Sequence, residues 1–191
     1  MKDKLRGEIV KTAKLLLQEG KDIRHITMNL IAKKMGITAP TLYHYFKGKE
    51  EIIVLSIELV ADELLETFQT PLPSSMPSEM KLKMRIVTLM TYFYKNINSF
   101  SLIFSDSGLA YWGSGDIPLT EKIKTFKEML NLVVAEWAEK EKITVDTVKA
   151  TFLLISLMMG ILRYYKSAGI KNADMSNEAE VVFSYFKKAL S

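Results

Sequence analysis

The sequence predicts an all-α fold. Apolar residues recur at spacings of three and four through most of the 191-residue chain, which is the period of an amphipathic helix. The alternating pattern of a half-buried β-strand is not evident in any stretch. Glycine and proline divide the helical segments, with the clearest break at residues 70–78. We therefore expect three helices in a small N-terminal domain and six in a larger C-terminal domain.

Helix 1 is predicted over residues 3–19. Its apolar stripe consists of Leu5, Ile9, Ala13, Leu16 and Leu17. Charged residues occupy the other face, so that face should be in contact with solvent. Gly20 is of the type that often closes a helix, and residues 20–26 are predicted to form a loop. His25, within this loop, is interpreted as a surface residue.

Residues 27–53 predict two short helices separated by a tight turn and followed by the start of a third. Thr27 can cap helix 2, because its hydroxyl can accept from the free backbone N–H groups of the first turn. Gly36 allows the chain to turn, and Thr38 can cap helix 3, with Pro40 tolerated in its first turn. This order of elements is that of a helix-turn-helix, so the first domain is predicted to read DNA.

Helix 3 has one apolar side and one polar side. Ala39, Leu42 and Phe46 are spaced to face the inside of the domain. The residues left outside carry hydroxyl, phenol and imidazole groups: Thr41, Tyr43 and His44. Such groups can hydrogen-bond base edges and phosphates, so this side of helix 3 is the candidate recognition surface.

The net charge of +4 is unevenly distributed. Residues 1–51 contain 11 Lys and Arg against 6 Asp and Glu, a balance of +5, whereas residues 52–191 contain 15 against 16, a balance of −1. An excess of Lys and Arg favours contact with phosphates, which supplies most of the non-specific affinity for DNA. A solvated basic surface without a partner is the alternative interpretation.

The run TMNLIAKKMGITAPTLYHYFKGKEEI, at residues 27–52, keeps several constrained positions in one register. It resembles the N-terminal domain of the tetracycline-repressor (TetR) family of bacterial transcriptional regulators, and Arg6 and Ile9 of helix 1 also fall at family-like positions. The segment from Gly20 to Thr27 is longer than the family norm. Contacts in that loop are therefore left unassigned.

The resemblance implies which residues contact DNA. Thr27 and Tyr43 match positions where family members commonly contact the DNA backbone, and Lys49 matches a lysine that opens helix 4 and reaches a phosphate. The other implied contacts lie on helices 2 and 3: Asn29, Thr38, Ala39, Thr41 and His44. Each position has an alternative interpretation. Thr27 and Thr38 can be helix caps alone, Tyr43 can pack against helix 1, and Lys49 can be an ordinary surface lysine.

Six further helices are predicted after Glu50. Their approximate ranges are 50–70 for helix 4, 79–96 for helix 5, 99–112 for helix 6, 119–142 for helix 7, 145–168 for helix 8 and 177–190 for helix 9. Helix 6 is expected to be broken or kinked near residues 105–108, and a turn is expected from Gly113. We therefore predict a helix-turn-helix DNA-binding domain at residues 1–50 and a ligand-binding and dimerisation domain at residues 51–191.

Helix 8 is apolar around nearly its whole circumference between Thr151 and Leu162. A helix of this kind must be covered on all sides, so an interface is expected. The resemblance implies a homodimer that joins helices 8 and 9 of two chains in a four-helix bundle and reads a near-palindromic operator in double-stranded DNA. The alternative is that helix 8 is the central helix of a monomer.

A ligand pocket is predicted in the second domain. The chain contains eleven methionines and 10% aromatic residues, and such side chains can line an adaptable apolar cavity. The candidate lining residues are Met90, Phe93, Phe104, Trp112, Met129, Phe152 and Met158, with Met84 and Met159 as further candidates. Plain core packing is the alternative interpretation. The resemblance implies that the ligand is a small-molecule effector, and the apolar lining favours a hydrophobic or aromatic one.

Several classes of function are disfavoured by composition. The chain has no cysteine and two histidines, which disfavours a metal site, a cofactor held by thiolates and a cysteine nucleophile. No glycine-rich phosphate loop or cluster of carboxylates indicates an enzyme. The longest apolar run, between Lys149 and Arg163, is shorter than the roughly 18 residues that a membrane span needs. We therefore expect a cytoplasmic protein without a membrane partner.

These features together predict a DNA-binding transcriptional regulator. We expect a repressor that binds a palindromic operator as a dimer and is released by a small hydrophobic or aromatic effector. Two alternatives remain: an enzyme that processes a ligand in its hydrophobic pocket, and a helical module that binds protein or small molecules without DNA.

Overall fold

The structure, a computed structural model, describes residues 2–103, 118–170 and 173–190. Within these ranges the regular elements are helical, which confirms the all-α fold class. The helices are α1 (Lys2–Gln18), α2 (Met28–Met35), α3 (Ala39–Tyr43), α4 (Lys49–Gln69), α5 (Ser78–Lys95), α6 (Ile97–Ile103), α7 (Pro118–Lys140), α8 (Thr147–Ser167) and α9 (Ser176–Leu190). A short 3-10 turn, Ile23–His25, lies between α1 and α2.

The described residues form two compact units. The first contains residues 2–63 together with 98–103 and 118–120, and the second contains residues 64–97, 121–170 and 173–190. The division falls within α4, between Glu63 and Leu64. We retain residues 1–50 and 51–191 as the proposed functional domains, because a division by contacts and a division by function need not coincide.

The core of the first unit is built from the apolar faces of α1, α2 and α3. Side chains that are almost fully removed from solvent include Ile9, Ala13, Leu16, Leu17, Ile26, Ile31, Leu42 and Phe46. The helix boundaries follow from local chemistry. Thr27 precedes α2 and its hydroxyl accepts from the Leu30 N–H at 3.1 Å, as expected of a cap. Gly36 ends α2 with φ +69°, in the left-handed region that glycine adopts without strain.

Ion pairs join α1 to α4 within the first unit. The Arg6 guanidinium lies 3.1 Å from the Glu51 carboxylate and 4.9 Å above the ring of Phe46. Further along the same two helices, Lys14 of α1 pairs with Glu63 of α4. The Arg6–Glu51 pair is exposed and contributes little, whereas the Lys14–Glu63 pair is partly buried. The two pairs therefore differ in how much they add to the alignment of α1 and α4.

The core of the second unit contains a set of contacting aromatic side chains among its aliphatic residues. The Trp137 ring of α7 packs at 6.0 Å from Phe183 and 5.5 Å from Phe186, both on α9. Phe126 of α7 makes edge-to-face contacts with Phe68 at 5.7 Å and Phe93 at 6.0 Å. Aromatic pairs in such geometries add to the stabilisation from burial, so α7 is well fixed within this unit.

Helix α8 is covered on one side only within a single chain. Ala150, Leu154, Met158 and Leu162, spaced by four residues, are buried inside the unit. The opposite face is open in the single chain: the side chain of Phe152 is 72% exposed and that of Tyr164 is 65% exposed. One chain thus covers only half of this apolar helix.

By length and composition alone, α8 could cross a membrane, and among the described residues it is the one helix with that property. The core helix of a globular unit passes the same test. The face of α8 that carries Leu154 and Met158 is packed in the core of the second unit.

Two predicted elements need comment. Helix 3 is shorter than its apolar spacing suggested, since α3 ends at Tyr43, and Phe46 is buried from the segment that follows it. The kink predicted near residues 105–108 and the turn predicted from Gly113 lie outside the described residues. The end predicted for helix 6, near residue 112, also lies outside the described residues. The boundaries that can be compared agree with the predicted ranges to within about two residues, the usual uncertainty of helix ends.

Candidate nucleic-acid interface

The start of α2 presents two of the predicted DNA contacts. Thr27 and Asn29 are both exposed. The Thr27 hydroxyl is already an acceptor for the Leu30 N–H, so the cap interpretation is correct for this residue. A hydroxyl that accepts can also donate, which leaves its hydrogen for an acceptor outside the chain.

The start of α3 corrects one expectation. Thr38 occupies the capping position, but its side chain makes no capping hydrogen bond. Its hydroxyl oxygen instead lies 2.9 Å from that of Thr41. Ala39 is half-buried rather than fully inward. The first turn of α3 therefore carries a pair of linked hydroxyls at its surface, with Thr38 exposed and Thr41 half-buried.

The end of α3 presents the largest exposed group. The side chain of Tyr43 is 59% exposed, and His44, which follows the helix, is also exposed. Leu42 and Phe46 are buried on the other side. Packing against helix 1 therefore does not account for the whole Tyr43 ring, and the phenol and imidazole both point toward solvent where a DNA groove could receive them.

Lys49 begins α4 and ties it to the turn before α2. Its ammonium group donates to the backbone carbonyl of Ile23 at 3.4 Å, and the residue is half-buried. An ammonium has three N–H donors, so one such bond leaves others for a phosphate. Lys49 is therefore positioned by the fold rather than being a freely moving surface lysine.

The electrostatic character of this surface is strongly positive. Residues 21–49 contain six Lys and Arg against a single acid, Asp22. Arg24 donates hydrogen bonds to Asp22 from both its side chain and its backbone, and these hold the pKa of the Asp22 carboxyl well below its usual range. The same pairing raises the pKa of Arg24.

Arg24 is a residue that we did not single out from the sequence. Its signal was present, since an acid two residues before an arginine can form a local pair. The resemblance did not identify Arg24, because the loop that contains it is longer than the family norm and has no matching position.

The predicted pocket residues do not share one environment. Met90, Phe93 and Met158 are buried in the second unit, and Met129 is half-buried. The prediction that Phe152 lines an enclosed pocket is corrected for the single chain. Phe152 lies on the exposed face of α8, at an open groove with Val148 and Ile155. Phe104 and Trp112 lie outside the described residues.

Other kinds of site are not evident in residues 2–103, 118–170 and 173–190. No group of three His, Asp or Glu side chains in these ranges could hold a metal ion. The chain has no cysteine.

The arrangement of α1, α2 and α3, with a glycine-ended α2 and an exposed polar face on α3, defines a helix-turn-helix domain of the kind found in transcriptional regulators. Residues 9–54 match the model of the family described as bacterial regulatory proteins, tetR family. The resemblance stated from residues 27–52 is thereby confirmed.

Solved structures extend the likeness to the whole fold. A transcriptional regulator of the TetR/AcrR family from Thermobifida fusca superposes with a TM-score of 0.72 at 20% identity, covering 96% of each chain. The fatty acid degradation regulator FadR from Bacillus halodurans gives 0.74 at 16% identity, covering 95% of this chain and 93% of that one. FadR from Bacillus subtilis, in complex with stearoyl-CoA, gives 0.63 at 18% identity, covering 93% and 95%. No curated protein matches the sequence. The chain therefore has the fold of TetR-type regulators.

Proposed function

We propose that the protein is a DNA-binding transcriptional repressor. The observation that carries the proposal is a set of polar side chains that reach the surface of the first unit. They are Thr27 before α2, Thr41 and Tyr43 on α3, His44 directly after α3, and Lys49 at the start of α4, where it donates to the Ile23 carbonyl. Hydroxyl, phenol and imidazole groups suit base edges and phosphates, and the excess of Lys and Arg over residues 21–49 suits a polyanion. Asn29, Thr38 and Ala39 complete the proposed contact set.

The proposed assembly is a homodimer formed through α8 and α9. Its support is the apolar side chains that remain exposed on these two helices: Phe152, Tyr164, Val181 and Tyr185. Exposed apolar residues grouped on neighbouring helices are typical of a protein interface. A two-fold dimer would present two copies of α3 to the half-sites of a palindromic operator, about 34 Å apart.

The proposed effector is a small hydrophobic or aromatic molecule. Buried methionine and aromatic side chains in the second unit, Met90, Phe93 and Met158, support an apolar binding region, with Met129 at its margin. The stearoyl-CoA complex of the Bacillus subtilis regulator concerns that protein, and it makes long-chain acyl-CoA a reasonable first compound to test here.

The proposed coupling runs through α4. This helix begins at Lys49, beside the DNA-contacting turn, and its last residues belong to the second unit. An effector that shifts α4 would change the separation of the two recognition helices, so effector and operator would each weaken binding of the other by the same factor. We place this regulation in the bacterial cytoplasm, where the DNA is.

Selection of bound sequences from random double-stranded DNA by the purified protein tests the proposal directly. We expect an enriched near-palindrome with half-sites one helical turn apart, and weaker recovery when the correct effector is added. Recovery of random sequence with no salt-dependent affinity would show that the protein is not a DNA-binding regulator. An effector that leaves operator affinity unchanged would refute the coupling alone.

A further inference from the structure

The segment between α1 and α2 is a rigid turn rather than a loose loop. The Asp22 carboxylate accepts the Arg24 backbone N–H at 2.8 Å, and the Asp22 carbonyl accepts the His25 N–H at 2.9 Å. The Ile26 N–H donates to the Ile23 carbonyl at 3.2 Å, and the Ile26 side chain is fully buried. The position of the Arg24 backbone is therefore fixed within the first unit.

The Arg24 guanidinium is held by one of its edges. Its Nε lies 3.0 and 3.1 Å from the two Asp22 carboxylate oxygens, and its Nη2 lies 2.6 Å from Oδ2. A guanidinium has five N–H donors in a planar fork, so this pairing engages the Nε and Nη2 side and leaves the Nη1 and Nη2 edge for an acceptor outside the chain. The side chain is 81% exposed, which makes that edge accessible.

The turn lies beside the proposed DNA contacts. Lys49 donates to the carbonyl of Ile23, the residue before Arg24, at 3.4 Å. Thr27, which caps α2, follows the turn directly along the chain. Arg24 consequently lies at the border where α2 and α4 begin, next to two residues that we propose contact the DNA backbone.

We propose that Arg24 is an additional contact to a DNA backbone phosphate, and that Asp22 is the residue that positions it. This inference rests on the proposed DNA-binding function. A phosphate meets the free Nη1 and Nη2 edge of the guanidinium with two parallel hydrogen bonds, the geometry in which arginine binds phosphate best. Because the contact is to the backbone, it adds affinity on all sequences and carries no base preference.

Asp22 brings a negative charge close to the DNA. It nevertheless favours the proposed phosphate contact, because it orders the Arg24 side chain. An unpaired exposed arginine loses rotamer freedom when it binds, whereas the hydrogen bonds to Asp22 already favour one orientation of the Arg24 guanidinium and so reduce that loss. The charges of the pair cancel at long range. The guanidinium still presents its free Nη1 and Nη2 edge to solvent, so it can bind a phosphate at hydrogen-bonding distance although the pair has no net charge.

The test is the salt dependence of operator binding by Arg24→Ala, measured between 50 and 200 mM salt. Each lost phosphate contact lowers the slope of log affinity against log salt by about 0.9, hence by about 1.8 in a dimer with two heads. We expect the loss of affinity to be about 12-fold greater at 50 than at 200 mM salt, and equal on operator and unrelated DNA.

Lys11→Ala is the matched control. It removes the same charge from the same unit, but Lys11 lies in a groove with Asp3, Glu58 and Asp62, where acids repel a phosphate. We expect a much smaller change of slope. Equal effects of Lys11→Ala and Arg24→Ala would show that only net charge matters and would overturn the assignment. Arg24→Lys, which keeps the charge but not the fork, should retain the slope and bind more weakly at every salt concentration.

The role of Asp22 requires a double-mutant comparison. Asp22→Asn in the Arg24→Ala background removes a negative charge but keeps a side-chain oxygen that can accept the backbone N–H of residue 24, so we expect tighter binding. With Arg24 present, the same change also releases the guanidinium, so the gain should be smaller or reversed. Identical effects in the two backgrounds would remove the positioning role.

Lys49→Ala separates failure of this inference from failure of the proposed function. If Lys49→Ala weakens binding and Arg24→Ala does not, the contact at Arg24 is disproved and the regulator stands. If wild-type protein shows no salt-dependent binding to any duplex, the proposed function itself fails, and the assignment of Arg24 fails with it.

Discussion

Two exposed surfaces of this protein have opposite chemistry. The surface around α3 carries hydroxyls, a phenol, an imidazole and neighbouring cations, with Tyr43 as its most exposed large side chain. The surface of α8 and α9 carries Phe152, Tyr164 and Tyr185. The first suits a charged, hydrated partner, and the second suits a dry, apolar one. Mutations on the two surfaces should therefore impair different properties: dimer formation for the apolar surface and direct DNA contact for the polar surface.

Disruption of the apolar surface should have the largest effect. Phe152→Lys places a charge where we propose that α8 meets its partner, and burying an unpaired charge costs more than the lost contact. We expect a dimer to become a monomer at micromolar concentration in sedimentation velocity, with a large accompanying loss of operator affinity. Leu132→Lys is the control, since Leu132 is 71% exposed on α7. A monomeric wild-type protein would contradict the dimer.

Substitutions on the polar surface that remove backbone contacts should come next. Lys49→Ala should weaken binding to every duplex and reduce the salt slope by about 1.8 per dimer. Tyr43→Ala should weaken binding to every duplex with a smaller change of slope, because a phenol releases no counterion. Gel-shift titrations at several salt concentrations distinguish the two. Wild-type behaviour of both variants would mean that the wrong face has been assigned.

Changes to the groups that we propose contact the bases should alter sequence preference more than they alter overall affinity. Replacing a good base contact costs about 1–3 kcal/mol of discrimination at one position. We expect His44→Ala and Thr41→Val to shift the base preferred at single operator positions, measured by repeating the DNA selection. Thr41→Ser, which retains the hydroxyl, should keep the wild-type preference. Unchanged preferences in both variants would place base reading elsewhere on α2 or α3.

The smallest expected effect concerns a surface ion pair of the second unit, between Glu79 and Lys187. Glu79 accepts a hydrogen bond from Lys187 at 2.6 Å, and this contact lowers the pKa of Glu79 from 4.5. The stabilisation is thus present above pH 4.5 and is lost as the pH falls through the lower folded value. We expect Lys187→Ala to be slightly less stable than wild type at pH 7, and the difference in unfolding midpoint to narrow in acid. A difference that grows in acid would refute the pairing.

Much of the fold could be predicted because local signals agreed with it. Thr27 both begins and caps α2, and Gly36 adopts the left-handed conformation expected of a helix-ending glycine. Leu42 and Phe46 are buried as their spacing indicated. In each case the residue type favours the same local structure that the fold requires, so the sequence pattern and the structure agree.

Predictions failed where residue type and apolar spacing do not identify the partner of a side chain. Thr38 had the right type for a cap, yet its hydroxyl meets that of Thr41 instead. Phe152 had the right type for a pocket, yet it is exposed on α8, because periodicity alone cannot say which side of an apolar helix its own chain covers. The turn at Ile23–His25 was missed because its order comes from a local acid and arginine pair, not from apolar spacing.

The shortness of α3 has a consequence for motion. A helix of five residues, Ala39–Tyr43, is far below the roughly 12–15 residues that an isolated helix needs to persist in water. It is maintained by the burial of Leu42 and Phe46 beside it. Its backbone amides should therefore exchange with deuterium through local opening sooner than those of α1, and slow markedly on operator binding. Part of the conformational order of α3 would then come from the proposed contact with DNA.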